Sequence, residues 1–433
     1  MMLEAKIALL SIAYTIISYL AYSTAKKERD SLVTVFTAIM AVALGYISLE
    51  ARGVSGLLGF IGSATLLTSL ALGEISKVER RSLFSMFSFY FTASSIMLTA
   101  TTNAVRMFIY WETIAMLMIG GMVIYKKDES YEAALKYAVI CIPGSIIGLI
   151  GLILAIFSSG TISFPYMLNN SGVLSIMLMA IGFGTEVALF PMYVWLPSLY
   201  IGMPPLLLAV EIASILPATT YIVGTIASMN YTVAIVTASL ALIGSIVGSL
   251  SAMTQNDLRK LLSYSTLSHI GYMLLGLSVG TALARDYSVL HMVAHAIPKA
   301  SLVAVTFALL SKLGNSGIEG LRKFGNSYKL VIMGSALALL GLPPFLSFWS
   351  ELYIFLGAFA STLPWKLLAL VYFAVILIST GYAFKIIYSY SSEDKGGEYG
   401  TDTFAIILLL FFLLSLFLSP FQSYLVTYFL GPL

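Results

Sequence analysis

Residues 137–157 read YAVICIPGSIIGLIGLILAIF and contain no charged side chain. An α-helix rises 1.5 Å per residue, so about 20 apolar residues cross the hydrocarbon core of a bilayer. Similar apolar stretches, separated by short polar breaks, fill the sequence from end to end. They predict an all-α, polytopic membrane protein without a soluble domain.

The composition agrees with this class of fold. The chain has 433 residues, of which 59% are hydrophobic and 10% are charged, whereas soluble domains carry about 25% charged residues. The net charge of +3 is too small to indicate a nucleic-acid partner. A single cysteine, Cys141, excludes a disulfide framework and a cluster of thiolate ligands within the chain.

The apolar stretches predict about fourteen membrane-spanning helices. Because the stretches are continuous and about twice as long as barrel strands, a membrane β-barrel is excluded. The first stretch is followed by basic residues rather than by a signal cleavage site, so we expect span 1 to be retained. The predicted spans are 5–25, 31–50, 54–74, 82–101, 104–125, 131–157, 172–199, 203–228, 231–252, 260–281, 287–312, 328–359, 365–390 and 402–431.

Basic residues concentrate in the loops that follow odd-numbered spans. These residues are Lys26, Lys27, Arg29, Lys77, Arg80, Arg81, Lys126, Lys127, Arg259, Lys260, Lys312, Arg322 and Lys323. The loops after even-numbered spans hold chiefly Arg52 and Arg285. Because cytoplasmic loops are enriched in Lys and Arg, we predict a multi-pass protein of the cell membrane with both termini on the outer side.

Two predicted spans are interrupted by prolines, span 7 in LFPMYVWLPS (189–198) and span 12 in GLPPFLSFWSEL (341–352). A proline inside a helix frees a carbonyl group, which a bilayer tolerates only where protein or water satisfies it. Each break alone has the simpler interpretation of a proline kink. Two breaks that lie five spans apart instead favour a repeat of the kind found in transporters.

Six acids and bases stand out within the predicted spans. A charge in mid-bilayer costs several kcal/mol and usually marks a pathway for ions or substrates. Lys385 has a simpler interpretation, because a lysine near the end of a span can extend its ammonium group to the interface. The six are Glu112, Glu186, Glu211, Lys299, Glu351 and Lys385.

His291, His295 and Lys299 are spaced by four residues, which places them on one face of a helix. Such a stripe can relay protons, because histidine titrates near neutral pH; the alternative is two neutral histidines bonded to neighbouring helices. The His-x-x-x-His spacing also fits a metal, but the same helix offers no nearby glutamate. We therefore predict no metal site and no cofactor. His269 alone is ambiguous.

Several of these segments together resemble the antiporter-like subunits of respiratory complex I and their relatives in Mrp-type cation/proton antiporters and membrane-bound hydrogenases. The most specific segment is QNDLRKLLSYSTLSHIGYM (255–273), which is similar to the signature of this family at span 10. The other similar segments are FIYWETI (108–114), GFGTEVALFPMYVWLPSLY (182–200), HMVAHAIPKASL (291–302) and GLPPFLSFWSEL (341–352).

The resemblance implies a fold with three N-terminal helices over 1–81, one five-helix repeat over 82–228 and an inverted copy over 229–390. A last helix occupies 391–433. It also implies a row of residues that carry protons or cations through the membrane. These are Glu112, Glu186, His295, Lys299 and Glu351; the four-residue stripe adds His291 as a further candidate.

The sequence departs from the family pattern in its N-terminal half. Relatives usually carry lysine where this chain has Glu186, so that two acids replace an acid–lysine pair. Tyr193 and Ser198 stand in place of a family histidine and aspartate, and Pro217 stands about where a further lysine would fall. Glu211 does not align with a family site. The C-terminal half, with Lys299 and Glu351, is nearer the family pattern.

The resemblance implies a subunit that translocates protons, or sodium as an alternative, and that itself carries no flavin, cluster or quinone chemistry. Its partners would be the lipid bilayer and other membrane subunits of a complex I-like, hydrogenase or Mrp-type assembly. One alternative is a non-pumping structural spacer, which the missing lysines favour. Another is a stand-alone solute transporter, although the sequence offers no recognisable substrate site.

Overall fold

The computed structural model describes residues 2–24, 29–391 and 399–431. Lys26 and Lys27 of the first basic loop lie outside the described residues. Within the described ranges the chain forms helices, with three isolated β-bridges and no β-strand. The α-helices are α1 (Met2–Thr24), α2 (Arg29–Ala51), α3 (Gly53–Ile75), α4 (Arg81–Ala100), α5 (Ala104–Val123), α6 (Asp128–Ser159), α7 (Val173–Gly184), α8 (Trp195–Gly202), α9 (Pro205–Ser228), α10 (Tyr231–Thr254), α11 (Leu258–Ser278), α12 (Ala282–Leu313), α13 (Asn326–Leu339), α14 (Leu346–Phe359), α15 (Leu363–Ser391), α16 (Thr403–Leu418) and α17 (Gln422–Leu430).

The described helices account for the predicted spans. Eleven helical segments are long and apolar enough to cross a membrane, the last of them made of α16 and α17. α11 has sufficient length but a more polar sequence, and the pairs α7–α8 and α13–α14 are the two interrupted spans. The prediction of an all-α polytopic fold with breaks in spans 7 and 12 is therefore confirmed.

The order of elements in α4–α9 recurs in α10–α15. Asn103 precedes α5 and forms a β-bridge with Ser163 after α6, and Asp257 precedes α11 and forms a β-bridge with Gly317 after α12. The side chains of Asn103 and Asp257 also accept hydrogen bonds from the first amides of the helices they precede. The two copies are offset by five crossings, an odd number, so the second copy runs in the opposite direction through the bilayer.

In each break a side chain donates a hydrogen bond to a backbone carbonyl. The indole Nε1 of Trp195 donates to the carbonyl of Thr185 at 2.9 Å, and the hydroxyl of Ser347 donates to the carbonyl of Ala338. Each break also contains a residue in the left-handed region, Ala188 with φ 55° and Gly341 with φ 69°. The protein itself thus supplies hydrogen bonds to the irregular backbone of each break, as a membrane environment requires.

The centre of the molecule is formed by α9 and α12, which are almost wholly buried. α12 packs against α9, α11 and α14. Large apolar side chains such as Leu9, Phe157 and Tyr388 cover the outer faces of α1, α6 and α15. Glu211 on α9 and Lys299 on α12 are therefore separated from the lipid by other helices.

The loops after spans 3, 5, 7, 9 and 11 meet on one face of the molecule. A cleft of about 500 Å³ on this face is lined by Val78, Lys127, Gly202, Arg259 and Gly314, which belong to the loops and helix ends after spans 3, 5, 7, 9 and 11. Lys127 and Arg259, two of the basic residues that motivated the topology prediction, thus line the same cleft.

Candidate ion-translocation site

The structure places most of the candidate residues in the interior of the helix bundle. Glu112, on α5, is the exception and is only half-buried. The remaining candidates, together with Glu211 and His269, are at most 6% exposed. These buried residues are Glu186, Glu211, His269, His291, His295, Lys299 and Glu351.

Glu112 and Glu186 meet at Ser145 of α6. The Ser145 hydroxyl donates to Oε1 of Glu186 at 2.9 Å, and the Glu112 carboxyl lies beside the same hydroxyl. Oε1 of Glu112 and Oε2 of Glu186 are buried without a hydrogen-bond partner. Since a serine has one hydroxyl proton, hydrogen bonds from Ser145 to both acids require one of the two carboxyl groups to be protonated.

The close approach of α6 to the first break depends on glycine. A Cβ at Gly144 would collide with the side chain of Thr185, and a Cβ at Gly182 would collide with the backbone of Gly148. Small residues let membrane helices approach closely. Here they bring Ser145, next to Gly144, within hydrogen-bond distance of Glu186.

Glu211 of α9 lies between the N-terminal acids and the C-terminal half. Its carboxyl acts electrostatically on Tyr137 and Tyr200, and the Tyr200 hydroxyl is 2.6 Å from the Thr266 hydroxyl of α11. The sequence marked Glu211 as an intramembrane acid but gave it no role, because the packing that surrounds it with tyrosines comes from distant segments.

Lys299 of α12 is fully buried. Its ammonium group donates to the carbonyl of Leu262 at 3.2 Å and to the hydroxyl of Ser265, both on α11. In the described part of the chain none of the ion pairs includes Lys299. Burial of an ammonium group without a carboxylate partner is costly, so packing stability does not explain this lysine.

The histidine stripe of α12 does not form a chain of its own. His291 Nε2 lies 3.0 Å from Nδ1 of His269 on α11, and His291 Nδ1 lies 2.9 Å from the Ser350 hydroxyl of α14. His295 stacks near His269, with ring centroids 4.9 Å apart, and its Nε2 is buried without a partner. His269, which the sequence left ambiguous, is thus the residue that joins these groups.

The His269–His291 pair has a defined direction. The Ser350 hydroxyl donates to the carbonyl of Ser347 at 2.9 Å, so it accepts from His291 Nδ1 and leaves His291 Nε2 as an acceptor. The other nitrogen of His269, Nε2, lies 3.0 Å from the Tyr382 hydroxyl. A neutral arrangement therefore runs from Tyr382 through both rings to Ser350.

Lys385 of α15 lies outside this row, and its ammonium group contacts the carboxyl end of α10. Its ammonium group donates to the carbonyls of Met253 and Gln255, at 2.9 and 2.6 Å, and to the side chain of Asn256. A cation is favourable at the carboxyl end of a helix, here α10. This placement matches the interfacial interpretation.

The fold and these buried groups define a class of polytopic membrane protein with two inverted repeats and paired helix breaks. Residues 101–377 match the family model described as NADH:quinone oxidoreductase/Mrp antiporter, TM. The chain belongs to this family. The resemblance expected from the sequence is therefore confirmed.

Relatives come from several kinds of complex. A Na(+)/H(+) antiporter protein of Alkalihalophilus pseudofirmus, itself one subunit of its antiporter, is 28% identical over 76% of this chain and 70% of the relative. The NAD(P)H-quinone oxidoreductase chain 5 of Synechocystis is 28% identical over 72% of this chain and 49% of the relative. The chain thus spans about half the length of the latter protein and of its chloroplast counterpart from Poa pratensis.

Solved structures share the fold at low sequence identity. A chain of the membrane-bound sulfane sulfur reductase, an archaeal respiratory membrane complex, has a TM-score of 0.86 and 21% identity, with 98% of this chain and 96% of that chain covered. A chain of the Mrp complex from Dietzia has a TM-score of 0.82 and 18% identity, with coverages of 99% and 96%.

Proposed function

We propose that this chain translocates protons as one membrane subunit of a larger ion-translocating complex. Protons pass along a row of buried groups that begins at Glu112 and Glu186, continues through Glu211 to Lys299, and ends at the histidines and Glu351. The observation that carries this proposal is Lys299, which is fully buried with only a carbonyl and a hydroxyl as hydrogen-bond partners.

The row works by electrostatic coupling between neighbours. In a weakly screened interior, a charge change at one group alters the proton affinity of the next by a substantial amount. The Tyr200–Thr266 hydrogen bond lies between Glu211 and the α11 segment that holds Lys299. A partner subunit that changes the charge near either end would drive transfer along the row.

The test uses the intact complex reconstituted in vesicles, with proton uptake followed by a pH-sensitive dye. Lys299→Ala is expected to reduce uptake to the leak level while the complex still assembles. Lys366→Ala, at an exposed lysine of α15, is the matched control and should pump normally. Wild-type uptake in Lys299→Ala would contradict the proposal and favour the non-pumping spacer.

Sodium is a second candidate ion for the N-terminal half. Ser145 and the two unpartnered carboxylate oxygens of Glu112 and Glu186 form a set of oxygen atoms, and hard cations prefer oxygen ligands. The relative from Alkalihalophilus is named as part of a Na(+)/H(+) antiporter. Uptake of radioactive sodium by the wild type that Glu186→Ala abolishes would identify sodium as the ion. Proton uptake that does not depend on sodium would exclude it.

We propose the cell membrane as the location, with both termini outside and the basic face towards the cytoplasm. Cys141 is 1% exposed, so an introduced cysteine can be labelled with little background. Lys126→Cys should react with an impermeant thiol reagent only from the cytoplasmic side. Tyr166→Cys, in the exposed loop after span 6, should react only from outside. The reverse pattern would overturn this orientation.

A further inference from the structure

His269, His291 and Glu351 converge from α11, α12 and α14. Each offers one ligand atom, and these atoms all lie within 4.8 Å of one another. All three side chains are buried. Two histidines and a glutamate are one of the ligand sets that hold zinc in proteins. The sequence spacing had paired His291 with His295, whereas the folded chain supplies the missing glutamate from a different helix.

The two rings are held in the orientation that a metal site requires. Metal-binding histidines use one nitrogen for the metal and the other for a hydrogen bond that fixes the ring. Here the outer nitrogens face the hydroxyls of Ser350 and Tyr382, at 2.9 and 3.0 Å. The inner nitrogens, Nδ1 of His269 and Nε2 of His291, face each other at 3.0 Å.

The inner distance is close to the value that zinc would impose. Two nitrogens bonded to one tetrahedral zinc at about 2.0–2.1 Å lie about 3.3 Å apart. The rings therefore need to separate only slightly, with the Glu351 carboxylate moving towards them to complete the set. A ligating imidazole nitrogen carries no proton. Coordination therefore also requires the proton on His269 Nδ1 to move to Nε2, so that His269 stays neutral and Nε2 donates to the Tyr382 hydroxyl instead of accepting from it.

The site has a short route to the surface of the chain. The Glu351 carboxylate packs against Gly341, where a Cβ would collide with it. Gly341 is partly exposed, and Leu342, Pro343 and Pro344 of the same break are exposed. Glu351 therefore lies one contact away from an exposed segment of the chain.

We propose that His269, His291 and Glu351 bind one transition-metal dication of the zinc class. The metal replaces the proton between the two rings. Zinc therefore arrests proton transfer through the C-terminal half of the chain. This inhibition rests on the proposed function, whereas zinc binding does not depend on it.

The experiment measures zinc binding to the purified intact complex after chelator treatment, with zinc as the only added metal. Wild type should bind one zinc more per complex than His291→Gln. The zinc X-ray absorption spectrum of the wild type minus that of His291→Gln should show two histidine nitrogens and a carboxylate oxygen, each about 2.0–2.1 Å from the zinc. Equal binding in wild type and His291→Gln, or a difference spectrum without histidine, would overturn the site.

Milder variants keep the test valid if His291→Gln fails to fold. Ser350→Ala and Tyr382→Phe remove only the groups that orient the rings, and each should weaken zinc affinity about tenfold or more. Lys366→Ala, at an exposed lysine of α15 outside the row of buried groups, is the control and should leave the affinity unchanged. Unchanged affinity in both milder variants, or an equal loss in Lys366→Ala, would contradict the assignment.

Transport is measured separately. Zinc should inhibit proton uptake by the wild type with the same concentration dependence as its binding. Zinc that binds with the expected ligands and leaves uptake unchanged would confirm the site and overturn its place in the path. A complex that takes up no protons even without zinc would contradict the proposed function and would not affect the binding result.

Discussion

The two repeats share an order of helices and differ in the chemistry at their centres. The N-terminal copy holds the acids Glu112, Glu186 and Glu211 on α5, in the first break and on α9. The C-terminal copy places Lys299 and three histidines on α11 and α12, with Glu351 on α14. The first row begins at a half-buried residue, whereas every member of the second is nearly inaccessible.

The comparison teaches that both breaks hold an acid and that the two copies differ in the buried groups around it. Position 186 lies in the break of span 7 and carries an acid that Ser145 binds. The corresponding break of span 12 is followed by Glu351, which packs against Gly341. An acid-only row needs protons or cations to balance it, whereas a row with lysine and histidines can exchange protons among its own members.

The largest loss of proton uptake is expected from a variant of Lys299 that keeps its positive charge but can no longer release a proton. Lys299→Arg keeps a positive charge, but a guanidinium does not release its proton at physiological pH. If the C-terminal row transfers protons, Lys299→Arg should lose proton uptake by about a hundredfold or more, as when a general acid–base group is removed. Near-normal uptake would mean that only the charge of Lys299 matters.

The second prediction concerns a variant that reverses the charge at position 186 of the N-terminal row. Glu186→Lys creates an acid–lysine pair with Glu112, and it should retain more proton uptake than Glu186→Ala, which is expected to lose about tenfold or more. The comparison uses vesicles containing equal amounts of each complex. Equal uptake in wild type and both variants would mean that the N-terminal half is a spacer.

The third prediction concerns the junction between the halves. Tyr200→Phe removes the hydroxyl that lies 2.6 Å from Thr266 in the interior. A lost buried hydrogen bond of this kind costs about 1 kcal/mol of stability, and proton uptake should fall several-fold if the halves are coupled here. Tyr166→Phe, at an exposed tyrosine, is the control. Unchanged uptake in Tyr200→Phe would show that the halves operate independently or by another route.

The smallest effect is expected outside both rows, at the start of α16. Asp402 accepts hydrogen bonds from Lys312 at 2.5 Å and from the Ala405 amide at 2.8 Å. Burial alone would raise the pKa of Asp402, but the hydrogen bonds from Lys312 and Ala405 outweigh it and hold that pKa below its usual range. The stabilising charge is therefore present above the ordinary aspartate range and is lost as the pH falls through the lowered pKa.

Asp402→Asn keeps a side chain that can cap the helix and should reduce the free energy of unfolding by about 0.2–1 kcal/mol at neutral pH. Asp402→Ala also removes the cap and should cost about 1 kcal/mol more. Thermal unfolding in detergent measures both, and the gap between wild type and Asp402→Asn should close in acid. Proton uptake by either half should be unaffected; a large loss would mean that α16 takes part in translocation.

The spans were predictable because a bilayer requires long apolar helices and prolines interrupt them visibly. The positions of Lys299 and Glu351 followed from motif resemblance. Ser145 and Gly144 were not predictable, since one serine and one glycine in an apolar helix carry no signal until α6 is packed against the first break. The grouping of His269 with His291 was likewise hidden, because it joins α11 to α12 through side-chain geometry that the four-residue spacing of α12 does not encode.

The hydrogen bond from Ser350 to the Ser347 carbonyl has a kinetic consequence. A backbone carbonyl can receive a hydrogen bond but cannot pass a proton onward. A proton that travels from Tyr382 through His269 and His291 can therefore leave Ser350 only after its hydroxyl has turned from the Ser347 carbonyl to another acceptor. After one proton has passed along this chain of donors, every donor in it points the wrong way. The rings or hydroxyls must rotate before the next proton can follow. This half would then deliver single charges in separate events, at a pace set by side-chain reorientation.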